Sequence, residues 1–461
     1  MRKEIEIPNL ENIVFDRDWT KGSIIRNLLS LSWPMIINEA LWSLGFIIDM
    51  IWVGKLGSAP IAAVGVAGII VMVSMTAIFG LSVGARAMIA RFVGADDASG
   101  ANHVTQQAFV INGTIAIIVA TTGFFFAEPI LGLFGLKADV AAEGAAYLRI
   151  QFVGSVAMSF WVITESVMYA SGDGINPMKI TIAARLVHTV LTPFLVLGWW
   201  IFPRMGVSGA AMSNLIAFSA GMGLGLWFLF TGRTRLRLTF KNFRVDLNMI
   251  WRIIKIGIPA SAMGIQRSLG QLALMWLIIP FGTLSVAAHT LLQRVDTMLF
   301  LPSMGLGVAG GVLVGQNLGA NQPEQATKSG WLATVLAEGF MVTCSLVILI
   351  FPEAIIGIFS TEPDLVEITT SFLRIAIIGY LVLGCTAVLQ QCISGAGDTI
   401  PPLLISLVMI WGIQLPLAFL VLRITDLGVY GIRWAIVTGM VAGAIAYLTY
   451  FRMGRWKRKK V

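Results

Sequence analysis

Twelve apolar runs, each long enough to cross a lipid bilayer, are the feature that most restricts how this chain can fold. A helix needs about 20 apolar residues to cross roughly 30 Å of hydrocarbon. By this criterion the runs lie at 28–54, 59–92, 106–127, 142–170, 179–202, 207–231, 251–280, 284–318, 328–352, 366–394, 400–423 and 428–451. They do not show the alternating polarity that typifies transmembrane β-barrels. The sequence therefore predicts an all-α polytopic membrane protein with twelve transmembrane helices.

Charged residues are too few to cover a soluble globule of this size. They make up 12% of the 461 residues, whereas 57% of the residues are hydrophobic. Soluble domains carry about 25% charged residues. The formal net charge is +8, but the basic residues cluster between the apolar runs. This arrangement is typical of membrane topology, so we expect contact with the lipid bilayer and no nucleic-acid partner.

The distribution of Lys and Arg predicts which loops lie in the cytoplasm. Both ends of the chain and the connection after the sixth run are rich in basic residues, whereas loops 281–283 and 362–364 contain none. Cytoplasmic loops carry the excess of Lys and Arg, so both termini and the central connection are predicted to be cytoplasmic. The N-terminal segment lacks the apolar core of a cleavable signal. The expected location is the plasma or inner membrane. The basic residues of the central connection are Arg233, Arg235, Arg237, Lys241 and Arg244.

The chain contains an internal duplication with an offset of 225 residues. Pro34 to Gly65 aligns with Pro259 to Thr290 without a gap, and "SLG" occurs at the same place in both copies. Each copy holds six spans, an even number, so both copies have the same orientation in the membrane. We predict two pseudo-symmetric six-helix bundles around a central cleft, in a protein that needs no partner subunit and is a monomer. The predicted boundaries are 1–27 for a cytoplasmic N-terminal segment, 28–231 for the N-lobe, 232–250 for a basic linker, 251–451 for the C-lobe and 452–461 for a basic tail.

Several motifs resemble those of one transporter family. They include "WVGKLGSAPIAAVGVA" after Pro34, "YLRI" at the start of the fourth run, and the paired loops "SGDGINP" and "SGAGDTIPP". In order and spacing these motifs resemble the MATE (multidrug and toxic compound extrusion) family over nearly the whole chain. The resemblance implies a secondary antiporter, and not an enzyme, that exports organic, often cationic, small molecules by alternating access. Such proteins use an inward proton or sodium gradient. Because its first helix contains an acid, the chain resembles the prokaryotic DinF-type branch of this family.

Asp49 is the one carboxylate in the apolar stretch "SLGFIIDMIWVG" of the first run. Asn38, Trp42, Gly45 and Asp49 are spaced by four, three and four residues, so they share one stripe of a helix. Acids inside membrane spans are rare and usually functional. The duplication places Leu274 opposite Asp49, so the repeated scaffold does not itself require an acid. We therefore predict that Asp49 is a titratable or ion-binding group. The alternative is that Asp49 accepts a hydrogen bond that only fixes the packing of the helices.

The fifth run carries a second polar stripe: Thr181, Arg185, His188 and Thr192. Where the family pattern has Asn and then Asp before a proline, this chain has His188 and Thr192 before Pro193. The change removes a charge and oxygen ligands of the kind that sodium prefers. Histidine titrates near neutral pH. We therefore predict proton coupling, with weakened sodium coupling less favoured, through Asp49, His188 and Thr192. The alternative for His188 is a hydrogen-bonding group of the protein core without a coupling role. For Arg185 the alternative is a side chain that extends to the cytoplasmic end of its helix.

Other polar and polarizable residues are weaker candidates. Glu165 and Asp173 lie near the cytoplasmic end of the fourth run and are not assigned a coupling role. Arg294 and Asp296 are predicted to form a structural ion pair. The cysteines show no metal-ligand spacing, so we expect neither a metal site nor a cofactor besides the coupling cation. Predicted substrate-cavity residues are Asn38, Trp42, Met50, Tyr147, Met212 and Gln271.

Other functions fit the sequence less well. A flippase for lipid-linked oligosaccharides, or another twelve-helix facilitator, is the main alternative, but it would need a strongly basic cleft. A membrane enzyme is disfavoured because no HExxH or nucleophile motif is present. A pore is disfavoured because one acid in one lobe does not form a ring of charge.

Overall fold

The computed structural model describes residues 18–132, 138–241 and 243–459, without the side chains of 58–63 and 138–141. Most of the predicted N-terminal segment, 1–17, and the last two residues of the tail lie outside this part. Within it the secondary structure is helical, with no strand. The α-helices are α1 Ile24–Gly54, α2 Ser58–Gly94, α3 Ala98–Gly132, α4 Ala138–Ala170, α5 Ile175–Leu197, α6 Val207–Thr231, α7 Leu247–Ile278, α8 Thr283–Gly319, α9 Pro323–Ile350, α10 Pro352–Gly357, α11 Pro363–Gly395, α12 Ile400–Leu407, α13 Leu415–Ile424 and α14 Val429–Met453.

Twelve helical segments in the described part of the chain are long and apolar enough to span a membrane. One of them, Ile400–Ile424, joins α12 to α13 through a π-helix at Val408–Gln414. In the part of the chain that the structure describes, the six-residue α10 is the one α-helix outside these spans. The predicted all-α fold with twelve transmembrane helices is confirmed, and the chain is a multi-pass membrane protein.

The fifth span ends earlier than the predicted residue 202. α5 stops at Leu197 because Gly198 adopts a left-handed conformation with φ of 72°. The Gly198 amide donates to the carbonyl of Phe194, which closes the last turn. A side chain at 198 would also collide with the backbone of Arg204. Glycine after the last helical residue is a common helix stop, although the apolar composition continues through "WWIF".

The helices pack into two compact units. Of the described residues, unit 1 comprises those up to Gly22, within Ala40–Ile258 and within Gly315–Gln322, and unit 2 comprises those within Ser23–Glu39, Pro259–Val314 and Pro323–Val461. The division falls inside α1, α7 and α8, whereas the predicted lobes, 28–231 and 251–451, follow the sequence repeat. Helices of 31 and 37 residues can change their neighbours along their length, so packing units need not end at loops.

In unit 1, α4 packs against α2, α3 and α6. Leu148 and Phe152 of α4 lie in a hydrophobic core with Val196 and Ala210. The helices approach closely at glycines: a Cβ placed on Gly123 would lie 2.3 Å from the ring of Phe152. This close packing holds α4, α5 and α6 in a fixed relation, and these helices carry most of the polar groups described below.

The predicted basic linker, 232–250, is folded against α3 within unit 1. Asn102 Nδ2 donates to the carbonyl of Thr239 at 3.1 Å, and Gln107 Nε2 donates to the carbonyl of Arg244 at 2.8 Å. These amides satisfy backbone groups that the irregular linker leaves unpaired. The described residues of the linker are therefore an ordered part of unit 1.

In unit 2, α11 packs against α9 and α14. Its core includes Phe372, Leu373 and Tyr380 of α11 together with Ile432 of α14. Unit 2 thus has its own hydrophobic core.

Candidate functional site

Asp49 is held by side chains from two other helices. His188 Nε2 of α5 lies 3.1 Å from Oδ1, and Asn214 Nδ2 of α6 donates to Oδ2 at 2.7 Å. The residue is 5% exposed, so the carboxylate is buried with a partner on each oxygen. Hydrogen bonds to a charged group stabilise by about 1.5–3 kcal/mol each, more than bonds between neutral groups. The predicted association of Asp49 with His188 is present in the structure.

His188 keeps one nitrogen without a hydrogen-bond partner in the described structure. The side chain of His188 is completely buried, and the nitrogen without a hydrogen-bond partner is Nδ1. Nε2 faces Asp49, so a proton on that nitrogen can be shared with the carboxylate.

Thr192 lies one turn beyond His188 and has different partners. Its Oγ1 donates to the carbonyl of His188 at 2.6 Å and lies 3.0 Å from Ser213 Oγ. Neither of its hydrogen bonds reaches Asp49. The structure therefore brings two of the three predicted coupling residues into direct contact and places the third beside them.

Asn214 was not predicted as a site residue, although it completes the carboxylate's set of hydrogen bonds. It lies in the run "MSNLIAF" of α6, where an isolated amide is a common packing group. It is 5% exposed and donates to Asp49 and to the carbonyl of Ala210. The amide of Asn214 within an apolar span was the one feature of the sequence that could have identified it as a site residue. The sequence did not indicate which helix this amide faces.

Glu165 provides a second buried carboxylate in unit 1. Thr181 Oγ1 of α5 donates to Oε1 at 2.9 Å, and Trp42 Nε1 of α1 donates to Oε2 at 3.3 Å. The residue is 6% exposed. Its position in the sequence, near the predicted cytoplasmic end of a run, gave no indication that it lies in a polar cluster.

Arg185 is buried and does not extend to a helix end as the alternative reading of the sequence suggested. Its guanidinium lies over the rings of Trp42 and Trp161, 5.0 and 6.0 Å from their centroids. It interacts electrostatically with both Asp49 and Glu165. The predicted stripe on α5 is thus continuous: Thr181 contacts one acid, His188 contacts the other, and Arg185 lies between them on the helix.

Three of the predicted cavity residues in unit 1 have distinct surroundings. Tyr147 is buried, and its hydroxyl accepts a hydrogen bond from Gln151 Nε2 at 2.8 Å. Met50 is half-buried and packs against the core that contains Tyr147. Met212, on α6, is also half-buried. Tyr147 and Met50 thus share one core, while Trp42 belongs to the ring cluster with Arg185.

The two predicted cavity residues assigned to unit 2 differ in exposure. Asn38 is buried on α1, whereas Gln271 is exposed on α7. In the same helix Gln266 Nε2 donates to Ser406 Oγ at 3.0 Å. Gln266 therefore contributes to packing within unit 2, and Gln271 presents its amide at the surface of this chain.

The predicted ion pair between Arg294 and Asp296 is not formed. Asp296 accepts a hydrogen bond from the hydroxyl of Tyr380 at 2.5 Å, and it interacts electrostatically with Arg433. Arg433 in turn forms a hydrogen bond with Nδ1 of His289. Arg294 is exposed. Residues two apart on a helix do not face each other, so the sequence neighbour was the wrong partner.

Twelve spans, two copies of a six-helix arrangement and a buried carboxylate–histidine pair define an integral membrane transporter built by duplication. The chain belongs to the MatE family, whose sequence profile matches residues 34–194 and 259–420. The two matched segments begin at residues 34 and 259, which is the offset of 225 found in the sequence. MATE proteins are transporters and not enzymes.

The relatives match over nearly their full length. The probable multidrug resistance protein YpnP of Bacillus subtilis is 27% identical, covering 96% of this chain and 98% of YpnP. The probable multidrug resistance protein NorM of Thermotoga maritima is 24% identical, covering 95% and 94%. An FAD transporter of Shewanella oneidensis is 24% identical, covering 92% and 93%.

Solved structures share the fold of this chain. MATE in its bent conformation superposes with a TM-score of 0.89 at 22% identity, covering 94% of this chain and 96% of that structure. A MOP superfamily transporter from Pyrococcus furiosus gives a TM-score of 0.89 at 22% identity, covering 96% and 98%. The fold is therefore that of a MATE transporter.

Proposed function

We propose that this protein is a multidrug efflux antiporter that exports organic, often cationic, compounds by alternating access, driven by inward proton movement through Asp49. The relatives YpnP and NorM are both named as probable multidrug resistance proteins, which supports the multidrug part of the proposal. The observation that carries the coupling part is the buried contact between Asp49 and His188, because it joins an acid to the one side chain that ordinarily titrates near neutral pH.

The carboxylate of Asp49 links three helices, which gives a route from protonation to movement. As a carboxylate it is held by His188 of α5 and Asn214 of α6 while it belongs to α1. Protonation removes the charge, so each hydrogen bond weakens from the charged to the neutral range, a loss of about 1–2 kcal/mol. Proton binding therefore loosens α1 from α5 and α6, and release restores the contact.

The partners of Asp49 favour a proton over sodium. Sodium prefers several oxygen ligands, whereas Asp49 is approached by ring nitrogen and amide nitrogen donors. Thr192, at the position of the family's second acid, is bonded to the His188 carbonyl and close to Ser213. A proton needs only one oxygen, so the site suits it without rearrangement.

The experiment is transport in liposomes with one gradient at a time. Purified protein is reconstituted, a proton gradient or a sodium gradient is imposed separately, and uptake of a fluorescent organic cation is followed. We expect transport with the proton gradient. Activity with sodium alone would exclude proton coupling, and no activity with either gradient would exclude the antiporter.

The role of Asp49 is tested by Asp49→Asn in the same assay. The amide keeps the shape but carries no titratable proton, so we expect gradient-driven transport to fall to background while the protein stays folded. Glu128→Gln is the matched control, because Glu128 forms an exposed ion pair with Arg149 and such pairs contribute little. Normal transport by Asp49→Asn would remove this residue from the coupling mechanism.

A flippase for lipid-linked oligosaccharides remains the second candidate from the sequence. Its pyrophosphate substrate would favour an excess of basic side chains. Among the described residues of unit 1, the buried acids Asp49 and Glu165 accompany one buried arginine, Arg185. This balance supports the export of cations instead.

A further inference from the structure

Three aromatic rings, one carboxylate and one guanidinium form a compact group in unit 1, which we call the aromatic cluster: Trp42, Trp161, Phe218, Glu165 and Arg185. The ring centroids of Trp42 and Trp161 are 4.5 Å apart, and those of Trp42 and Phe218 are 6.5 Å apart. Glu165 accepts a hydrogen bond from Trp42. Ring faces attract cations, and a nearby carboxylate adds to that attraction. The cluster thus has the components of a site for an organic cation.

The cation in the cluster is a side chain of the protein itself. The guanidinium of Arg185 lies 5.0 Å from the Trp42 centroid, which is within cation–π range. A guanidinium is planar and delocalised. The cluster therefore holds a planar organic cation in this structure.

Arg185 is held in this place by few direct bonds. Its Nη2 is 3.5 Å from the carbonyl of Trp42, at the limit of a hydrogen bond, and its Nε has no partner in the described structure. It forms no salt bridge within 4.0 Å in the described part of the chain. Ring faces and the more distant charges of Asp49 and Glu165 hold it. A cation held in this way can be replaced by another.

A glycine makes room for this guanidinium. A Cβ placed on Gly45 of α1 would lie 2.3 Å from Arg185 Nη1 and 2.8 Å from Cζ. Glycine is unfavourable inside a helix relative to alanine. The close approach of Arg185 accounts for a glycine at this position.

The second copy of the repeat supplies an internal comparison. At the offset of 225, Gly45 corresponds to Gly270 and Arg185 corresponds to Ile410. A Cβ on Gly270 would lie 2.4 Å from Ile410 Cγ2, so the same helix crossing exists in unit 2 with an apolar side chain. The repeated scaffold needs a small residue at this crossing, but it does not need a cation there.

The partner of Trp42 differs between the copies in the same way. Trp42 and Glu165 correspond to Arg267 and Gln390, and Arg267 Nη2 donates to Gln390 Oε1 at 3.4 Å. The contact between these two positions is kept, but the carboxylate is present in the first copy alone. Arg185 and Glu165 are therefore additions specific to the first copy, as Asp49 is.

We propose that the aromatic cluster is a binding subsite for the planar cationic group of a transported compound, and that Arg185 occupies it as an internal ligand until the compound displaces it. Two buried carboxylates without a counter-cation are strongly unfavourable, so the resident guanidinium stabilises the empty protein. The compound's cation takes over this role on the face of Trp42, and Arg185 moves away on its flexible stem. Amidines, guanidines and aryl-substituted cations have the required shape and charge. This inference rests on the proposed export of organic cations.

The test is equilibrium binding in detergent, without any gradient. The probe is DAPI, a fluorescent planar bis-amidine, with benzamidine as the competitor. In Gly45→Ala the added methyl group moves the guanidinium off the ring while its charge is kept, and in Arg185→Gln the competitor is removed. We expect both variants to lower the Kd for DAPI about tenfold, a change within the range of cation–π energies. Glu165→Gln is expected to raise the Kd.

Gly54→Ala is the matched control, because Gly54 is on the same helix and a Cβ there would meet nothing within 4 Å. Its Kd should equal that of the wild-type protein, and thermal unfolding shows which variants are folded. Folded Gly45→Ala and Arg185→Gln proteins that bind DAPI no more tightly than the wild type would overturn the proposal. The binding shifts do not depend on a gradient, so they would persist if proton coupling through Asp49 failed.

Discussion

At the residue scale, Asp49 is defined by what holds each of its oxygens. His188 approaches one oxygen and Asn214 the other, from two different helices. Both contacts come from nitrogen atoms, so neither supplies an oxygen ligand beside the carboxylate. An aspartate in an exposed loop has water as its partner, whereas the buried oxygens of Asp49 need hydrogen bonds from the protein.

A residue-scale prediction concerns the choice of coupling ion. The double variant His188→Asn with Thr192→Asp restores the amide and the second acid of the family pattern. We expect sodium-driven transport to appear, because the site would gain oxygen ligands. The measurement is transport in liposomes with a sodium gradient at equal internal and external pH. The single variant Thr192→Ser, which keeps the hydroxyl, is the control, and proton-only transport by the double variant would contradict the prediction.

The limits of sequence reasoning are visible in the same residues. Asp49 was identified because an acid in an apolar run is unusual, and His188 because it lies on the polar stripe of α5. Glu165 and Asn214 gave no comparable signal. Their roles depend on which helices lie opposite α4 and α6, and periodicity within one helix does not contain that information. The Arg294–Asp296 prediction was wrong for the same reason, since Tyr380 of α11 lies opposite Asp296.

At the element scale, α5 organises the site because its polar face is spaced regularly. Thr181, Arg185, His188 and Thr192 are all buried on one face, and α5 packs against α6. The corresponding stretch of the second copy contains the π-helix Val408–Gln414. There Gln414 Nε2 donates to the carbonyl of Ile436 at 3.4 Å. The regular helix in the first copy is what keeps the four polar residues on one face.

An element-scale prediction concerns the crossing of α5 and α6. A Cβ on Gly209 would lie 2.4 Å from the carbonyl oxygen of Leu195, and backbone has little freedom to move. We expect Gly209→Ala to destabilise the protein by about 1–3 kcal/mol, the usual cost of overpacking. The measurement is the apparent Tm in detergent.

Gly223→Ala on the same helix is the control for that experiment. A Cβ at Gly223 would meet nothing within 4 Å, so alanine should leave the apparent Tm unchanged or raise it slightly, since alanine favours helix by about 1 kcal/mol. Equal melting of the two variants would contradict the close approach of α5 and α6.

At the scale of the whole molecule, duplication supplies the scaffold and asymmetry supplies the chemistry. The family profile matches both copies at the same offset, yet Asp49 corresponds to Leu274 and His188 to Ile413. Unit 2 has a different polar group, formed by the buried His289 and Arg433 together with the half-buried Asp296. The coupling residues that we propose are confined to unit 1.

A whole-molecule prediction concerns orientation in the membrane. Lys241→Cys places a thiol in the basic linker, which the excess of Lys and Arg predicts to be cytoplasmic. We expect a membrane-impermeant maleimide to label it in inverted vesicles and not in intact cells. Thr283→Cys, at the exposed end of the loop 281–283, which has no basic residue, should show the opposite pattern. The natural cysteines Cys385 and Cys392 are buried, and Cys344 is replaced by serine in both proteins. Labelling of Lys241→Cys in intact cells would contradict the predicted orientation in the membrane.

The sequence by itself determined the number of spans, the duplication and the family, because these depend on apolar length and on the order of motifs along the chain. It also identified Asp49 and His188, because each is chemically unusual within its own helix. Only the tertiary structure decided their partners: Asn214 on Asp49, Glu165 in contact with α1 and α5, and Arg185 over Trp42. These contacts join residues more than 100 positions apart, and they depend on helix crossings that local periodicity does not specify.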